Sequence, residues 1–197
     1  MLPLFSTDRL AGFFFGISYL AWFALEVASS FRHHTGRNAT TRDQYSGYVI
    51  SAAIFLAIGT GFGFAYAARG FTITWERPLV FYAGILLVWT GMVFRWYAVR
   101  VLGKYFTRQV AIHEGQTVVD AGPYHWIRHP SYAGMLITFV GLGLAMTNWL
   151  SLVCMFVFVM LGCSYRVWVE ERALVSSLGE PYREYMQRTK RFIPFVY

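Results

Sequence analysis

Between Gly122 and Tyr132 the chain reads Gly-Pro-Tyr-His-Trp-Ile-Arg-His-Pro-Ser-Tyr, with an arginine, two histidines and three aromatic rings set directly against a long apolar segment. A loop that only joined two membrane helices would need turn formers and a few solvated charges. These residue types do more: a guanidinium can grip an anion, an imidazole can serve as a base, and rings can stack on a flat ligand. Past another apolar stretch comes Arg166-Val167-Trp168-Val169-Glu170-Glu171. On a helix Arg166 and Glu170 are four apart and share one face. Two polar clusters separated by membrane-type sequence can converge at one membrane face.

The elements that position them are set by composition. Hydrophobic residues make up 56% of the chain and charged residues 14%, well below the roughly one quarter charged of soluble domains. Five apolar segments follow, about Leu10 to Phe31, Tyr48 to Ala68, Pro78 to Val99, Ser131 to Thr147 and Trp149 to Tyr165. The first three are near the ~20 residues a spanning helix needs, and the last two sit at the lower limit. The expected fold is an all-α integral membrane protein, residues 1–197 forming one domain with five transmembrane helices. Thr147-Asn148 is so short a connection that the last two spans must form a tight antiparallel hairpin. Cytoplasmic elements at about 100–132 and 166–197 would then carry the chemistry.

Orientation follows the cations. With the N-terminus outside, thirteen Lys and Arg fall on the cytoplasmic side, only Arg9, Arg69 and Arg77 on the other, and Arg95 within a span. That split places the C-terminus inside, as expected of a multi-pass protein of the inner (plasma) membrane. Leu10 to Phe31 is too long for a signal-peptide core and lacks a small-residue cleavage site, so it stays as the first span. The net charge of +7 reads as topology and contact with anionic membrane lipid. Nucleic-acid binding does not fit basic residues dispersed over separate loops.

Other features read plainly. Cys154 and Cys163 have neither redox nor zinc spacing and read as packing residues; His33-His34 lacks a carboxylate or thiol partner nearby and reads as a solvated loop. Asn38-Ala39-Thr40 fits a glycosylation sequon but would face the cytoplasm. Glu26 is an intramembrane carboxylate, one turn from the end of its span, where reaching to the interface is the plain account. The β-branched runs about the Glu114-Gly115 turn suggest a short hairpin-like excursion. Arg166 to Leu178 has helical composition, Gly179 is a stop, and Glu180-Pro181 opens a further helix. Aromatics and cations alternate from Arg191 to Phe195, which suits a membrane interface.

Gly122-Pro123-Tyr124, Arg128-His129-Pro130-Ser131-Tyr132-Ala133-Gly134, Glu170-Glu171, Leu178-Gly179-Glu180-Pro181-Tyr182, Tyr185 and Pro194 together resemble the isoprenylcysteine carboxyl methyltransferase family. The chain is similar to its compact prokaryotic members and, more distantly, to integral-membrane phospholipid N-methyltransferases. The resemblance covers about Arg95 to the C-terminus. It implies S-adenosyl-L-methionine bound between the loop after the third span, the RHPSY segment and the C-terminal helix. Cofactor contacts would fall on Gln109, on Gln116, Thr117, Val118 and Val119, on Tyr124, on His129, Pro130, Ser131 and Tyr132, and on Glu170. Arg166 would meet the substrate, with Arg128 in the same polar cluster, and no metal is implied.

The implied reaction needs little proton transfer. A carboxylate, with a reference pKa near ~4, is ionised at neutral pH and can attack a sulfonium methyl without a general base. Positioning and desolvation then carry the rate. The implied partner is a lipophilic carboxylate, a prenylated thiol acid or a fatty or isoprenoid acid; no obligate protein partner is evident. Three alternatives stay open. Arg166 and Glu170 could form an ordinary surface ion pair, Arg128 an interfacial cation, and Tyr124 and Trp126 an aromatic belt. An amine acceptor would need a free base, for which His125 is the nearby candidate. A non-catalytic scaffold or transporter subunit would need polar residues along its spans, and these carry little beyond Glu26 and Arg95.

Overall fold

A computed structural model describes residues 1–32, 39–41, 44–106, 111–113 and 115–193, with side chains at 29–32, 39–41 and 111–113 left aside. His33, His34, Asn38 and Gln109 therefore lie outside the described residues. The chain begins with a single helical turn, α1 (Leu4–Thr7), and a long helix, α2 (Arg9–Arg32). The elements β1 (Ala39–Thr41), α3 (Ser46–Ala67), α4 (Arg77–Leu102) and β2 (Ala111–His113) follow. The last three are α5 (Pro130–Ala145), α6 (Trp149–Leu178) and α7 (Glu180–Arg188). Among the described residues four helices, α2, α3, α4 and α6, are long and apolar enough to cross a membrane. At 16 residues α5 extends only ~24 Å, short of the ~30 Å hydrocarbon core.

Glycines set how closely these helices approach. A Cβ added at Gly91 of α4 would lie 2.6 Å from the Gly134 carbonyl of α5, and one at Gly141 would lie 2.6 Å from the Val88 nitrogen. With no hydrophobic drive between helices inside lipid, such backbone-to-backbone contact is how they associate. The α5–α6 turn is tight, with only Met146, Thr147 and Asn148 between the two helices. Asn148 caps α6 by accepting from the Leu150 and Ser151 amides at 3.0 and 3.2 Å. Its amide also donates to the Ala68 carbonyl at the end of α3, at 2.9 Å. Thr72, Arg77 and the first residues of the chain gather at this same end: Arg77 donates to the Leu2 carbonyl and to Thr147, and Thr72 to Met1.

Three sequence expectations change. Among the described residues of the segment after α4, β2 pairs antiparallel not with a neighbouring stretch but with β1, Ala39 opposite His113. Pairing partners this far apart in sequence leave no local turn signal. Glu26 does not simply reach for the interface; its carboxylate accepts from Arg95 Nη2 of α4 at 2.9 Å, which compensates two charges inside the bundle. The tail does not lie along the membrane as a whole, because Phe192 is buried in the core and the Lys190 and Arg191 carbonyls accept from the Arg128 and His129 amides at 2.7 and 3.1 Å. Gly179, at φ +65°, ends α6 as its sequence position implied. The last apolar span and Arg166 to Leu178 form one unbroken helix.

Candidate active site

At the end opposite the Asn148 turn, α6 emerges past its apolar stretch and presents two neighbouring glutamates to different surroundings. Adjacent helix positions diverge by about 100°, from 3.6 residues per turn, so Glu170 and Glu171 cannot share a face. Glu170 lines a cleft of about 820 Å³, open solvent included. The cleft is walled by the irregular stretch Gln116, Thr117, Val118 and Val119, by Tyr124, Arg128, His129, Ser131 and Tyr132, and by Arg166. Eleven of the thirteen residues expected from sequence thus meet around one space. Of the other two, Gln109 is not described and Pro130 is the buried first residue of α5, starting that helix rather than facing the cleft.

Sequence reasoning passed over Leu102, Tyr105, Phe106, Leu174, Leu178, Tyr182 and Tyr185 as lining residues. Glu170, Leu174 and Leu178 recur every four positions, a signal that could have found two of them. Tyr182 and Tyr185 were visible as motif residues but carried no assigned role. Tyr185 donates to the Tyr124 carbonyl at 2.6 Å and so ties α7 to the loop before α5. Burial, reinforced by the Glu170 charge, pushes the Tyr124 and Tyr182 phenols above their ordinary range. They face the cleft as neutral hydroxyls.

Tyr132 joins the two residues that sequence placed on one face. Its hydroxyl donates to Glu170 Oε2 at 3.1 Å and accepts from Arg166 Nε at 3.1 Å. Arg166 is 4% exposed and also donates to Ser46 Oγ at the start of α3, at 2.9 Å. This is a buried bridge between three helices and not a solvated surface pair. Arg128 lines the cleft, but its guanidinium is committed elsewhere: Nε donates to Glu171 Oε1 at 2.9 Å, and Nη1 to the Met186 and Thr189 carbonyls at the end of α7. His129 Nε2 meets the same Glu171 oxygen at 3.3 Å, and Arg191 Nη2 meets the other at 2.7 Å. Arg128 and His129 are therefore held in place by Glu171, a role that sequence had not given it.

A second, larger space adjoins the first. Between α2 and α3 lies a groove of about 1350 Å³, open solvent included, lined mainly by apolar side chains such as Trp22, Ile50, Ile54 and Met135. Phe106, Tyr132 and Arg166 line both spaces. They form a common wall between a polar cleft and a mainly apolar groove.

Residues 84–176 match the sequence profile of the isoprenylcysteine carboxyl methyltransferase family. Over that stretch, just under half of its length, the chain is similar to that family. A probable protein-S-isoprenylcysteine O-methyltransferase of Oryza sativa subsp. japonica is 34% identical over 123 residues, 61% of this chain and 64% of the rice protein. The protein-S-isoprenylcysteine O-methyltransferase of Saccharomyces cerevisiae is 36% identical over 116 residues, 57% of this chain and 48% of its own. The chain thus spans less than two thirds of the curated relatives it matches. The solved structure of a eukaryotic intramembrane Ras methyltransferase of this family superposes with a TM-score of 0.55 at 25% identity, covering 78% of this chain and 53% of that one. Likeness to an integral-membrane enzyme agrees with the apolar helices described above.

Proposed function

We propose that this protein transfers a methyl group from S-adenosyl-L-methionine to the carboxylate of a lipophilic, prenylcysteine-like acceptor, giving a methyl ester at the cytoplasmic face of the membrane. The observation that carries this reading is the common wall: a polar cleft and an apolar groove share Phe106, Tyr132 and Arg166. An amphiphilic acceptor lying in the groove would bring its head to that wall, opposite a donor in the cleft.

The cleft suits the donor by residue type. Glu170 offers a carboxylate to the ammonium or ribose, the Thr117 to Val119 backbone offers donors and acceptors to the adenine, and Tyr124 and Tyr182 offer neutral hydroxyls. When bound, S-adenosylmethionine supplies a sulfonium methyl that an ionised carboxylate can attack without a general base. Arg166 grips and orients that carboxylate, since a guanidinium stays charged at a membrane boundary and can bind both oxygens. The apolar groove strips water from it, which strengthens every electrostatic contact at the wall. An amine acceptor is less well served. His125, the base it would need, is 56% exposed, is paired with Asp120 at 3.2 Å and lies outside the cleft lining.

Titration calorimetry on the detergent-purified protein is expected to show heat with S-adenosylmethionine and with S-adenosylhomocysteine. No heat and no thermal shift with either, in folded protein, would remove the methyltransferase reading. The orientation has its own test. In a background with Cys154 and Cys163 replaced, a cysteine at Gln187 should react with an impermeant thiol reagent only from the cytoplasmic side, and one at Thr72 only from the other. Labelling of Thr72 from the cytoplasm would put the cleft on the wrong side for a cytosolic donor.

A further inference from the structure

Exposed tryptophans mark where the membrane ends along α6. Trp149 and Trp168 are both exposed, and their separation along the helix is roughly 28 Å at about 1.5 Å per residue. That matches the ~30 Å of hydrocarbon between the two interfaces at which tryptophan collects. Trp168 therefore lies at the interface on the side of the cleft. One turn beyond it, the Arg172 guanidinium lies over the Trp168 ring at 4.1 Å, at the depth of the lipid headgroups. Near the end of α4 on that same side, Arg100 lies over the exposed Trp96 ring at 4.0 Å.

The two stacks differ in what surrounds them. Arg100 shares its groove with the Glu26–Arg95 ion pair. Arg172 instead opens onto a hollow of about 1030 Å³, open solvent included, whose lining also carries Arg183 and Arg191. Arg191 reaches Glu171, the residue before Arg172, at 2.7 Å, so the tail after α7 returns the chain to the level of Arg172. Arg183 meets Glu180 on α7 with both side chains mostly exposed, a kind of pair that is worth little and exchanges readily for another anion. Among the described lining residues Glu171 is the acid set against these three guanidiniums, and Arg128 and His129 already meet it from the other side. The hollow therefore carries surplus positive charge. Below it, Val157, Leu161 and Tyr165 are exposed. With Trp168 and Arg172 they follow at steps of three and four and share one face of α6. An apolar stripe thus climbs from the membrane to the arginines, as the chains and phosphate of a phospholipid require. A soluble acidic segment would use neither the stripe nor the interfacial depth.

We propose that this hollow between α6 and α7 binds the phosphate of one anionic phospholipid through Arg172, Arg183 and Arg191, with the acyl chains laid along Val157, Leu161 and Tyr165. A guanidinium fork matches phosphate geometry, and stacking on Trp168 orients the Arg172 fork in advance. The bound lipid joins α6 to α7. Because Arg191 holds one oxygen of Glu171 and Arg128, on the wall of the cleft, holds the other, the lipid also steadies that wall. Its binding does not depend on the proposed methyl transfer and is measured without it.

The test is native mass spectrometry of the full chain released from detergent micelles. Dioleoyl phosphatidylglycerol is the probe, dioleoyl phosphatidylcholine the zwitterionic control, and glycerol 3-phosphate and a hexaglutamate peptide are the soluble competitors. The unaltered protein is expected to hold one phosphatidylglycerol about tenfold or more tightly than phosphatidylcholine. Arg172→Gln should weaken that lipid about fivefold, the scale of one cation at an anionic surface, and Arg172→Gln combined with Arg183→Gln roughly twenty-fivefold, with circular dichroism confirming that each variant is folded. Arg100→Gln removes the same charge from the other stack and should leave the bound lipid unchanged. Equal losses from Arg100→Gln and Arg172→Gln would mean diffuse attraction to the surface, and equal affinity for the two lipids would mean that charge is not recognised. Displacement by glycerol 3-phosphate at the lipid's own concentration would make the ligand a soluble phosphate, and displacement by hexaglutamate an acidic protein segment. Each of these results overturns the proposal.

Discussion

Replacing Glu171 by alanine is expected to destabilise the protein by about 3–5 kcal/mol, the range for removing one partner from a buried charge pair. The carboxylate is 5% exposed, and three cationic or ionisable side chains converge on it: Arg128, His129 and Arg191. Removing it leaves the Arg128 guanidinium, 9% exposed, without its counter-charge. Arg128 and His129 both line the cleft, so affinity for S-adenosylhomocysteine should fall as well, even in samples that remain folded. Thermal unfolding in detergent and a titration at a temperature where the variant is intact measure the two effects. A stability loss under ~1 kcal/mol would show that the cluster behaves as exposed ion pairs do.

The same cluster gives an acid limb to stability. Burial by itself would raise the Glu171 pKa, but hydrogen bonds from His129, Arg191 and Arg128 outweigh it and hold the group at about 2, against an ordinary 4.5. A carboxyl group whose folded pKa lies below its unfolded one contributes stability that is complete above the unfolded value and is lost as pH falls through the folded value. The window is therefore from about 4.5 down to about 2. Glu171→Gln, which keeps the shape without the charge, should flatten that limb.

How much of this was legible depended on whether the signal was local. The RHPSY segment, the Asn148 turn, the Gly179 stop and the four-residue offset of Arg166 and Glu170 are properties of short windows, and each has its counterpart in the structure. The apolar runs gave the helices, though α5 is short for a span and α6 runs on past its apolar part. What stayed hidden was pairing across distance. Glu26 and Arg95 are 69 positions apart, Arg128 and Thr189 are 61 apart, and no periodicity or composition couples such positions. Glu171 was visible only as a neighbour of Glu170. Its own partners come from the loop before α5 and from the tail after α7, so its role follows from the tertiary fold alone. The groove was illegible for a related reason: it is a gap between helices, defined by where α2 and α3 part and where Phe62 meets Phe15.

The sharpest separation of roles lies within one turn of α6. Arg166→Ala is expected to remove a charge-assisted contact to the acceptor carboxylate, worth about 1.5–3 kcal/mol, lowering kcat/KM for a prenylcysteine acceptor by roughly ten- to a hundredfold, while affinity for S-adenosylhomocysteine stays nearly unchanged. Glu170→Ala should weaken that ligand directly. Because the Tyr132 hydroxyl touches both side chains, the two sites are not fully independent. Tyr132→Phe should therefore reduce both readouts modestly, and double substitutions should depart from additivity, as residues in one hydrogen-bond network do. If Arg166 and Glu170 served only to hold α6 against α3 and α5, the substitutions would lower stability while leaving the ratio of acceptor turnover to donor affinity fixed. The decisive measurement is a donor titration on each variant beside initial rates with the acceptor. Equal loss of donor affinity in both variants would sink the division of labour, and wild-type activity in both would sink the site.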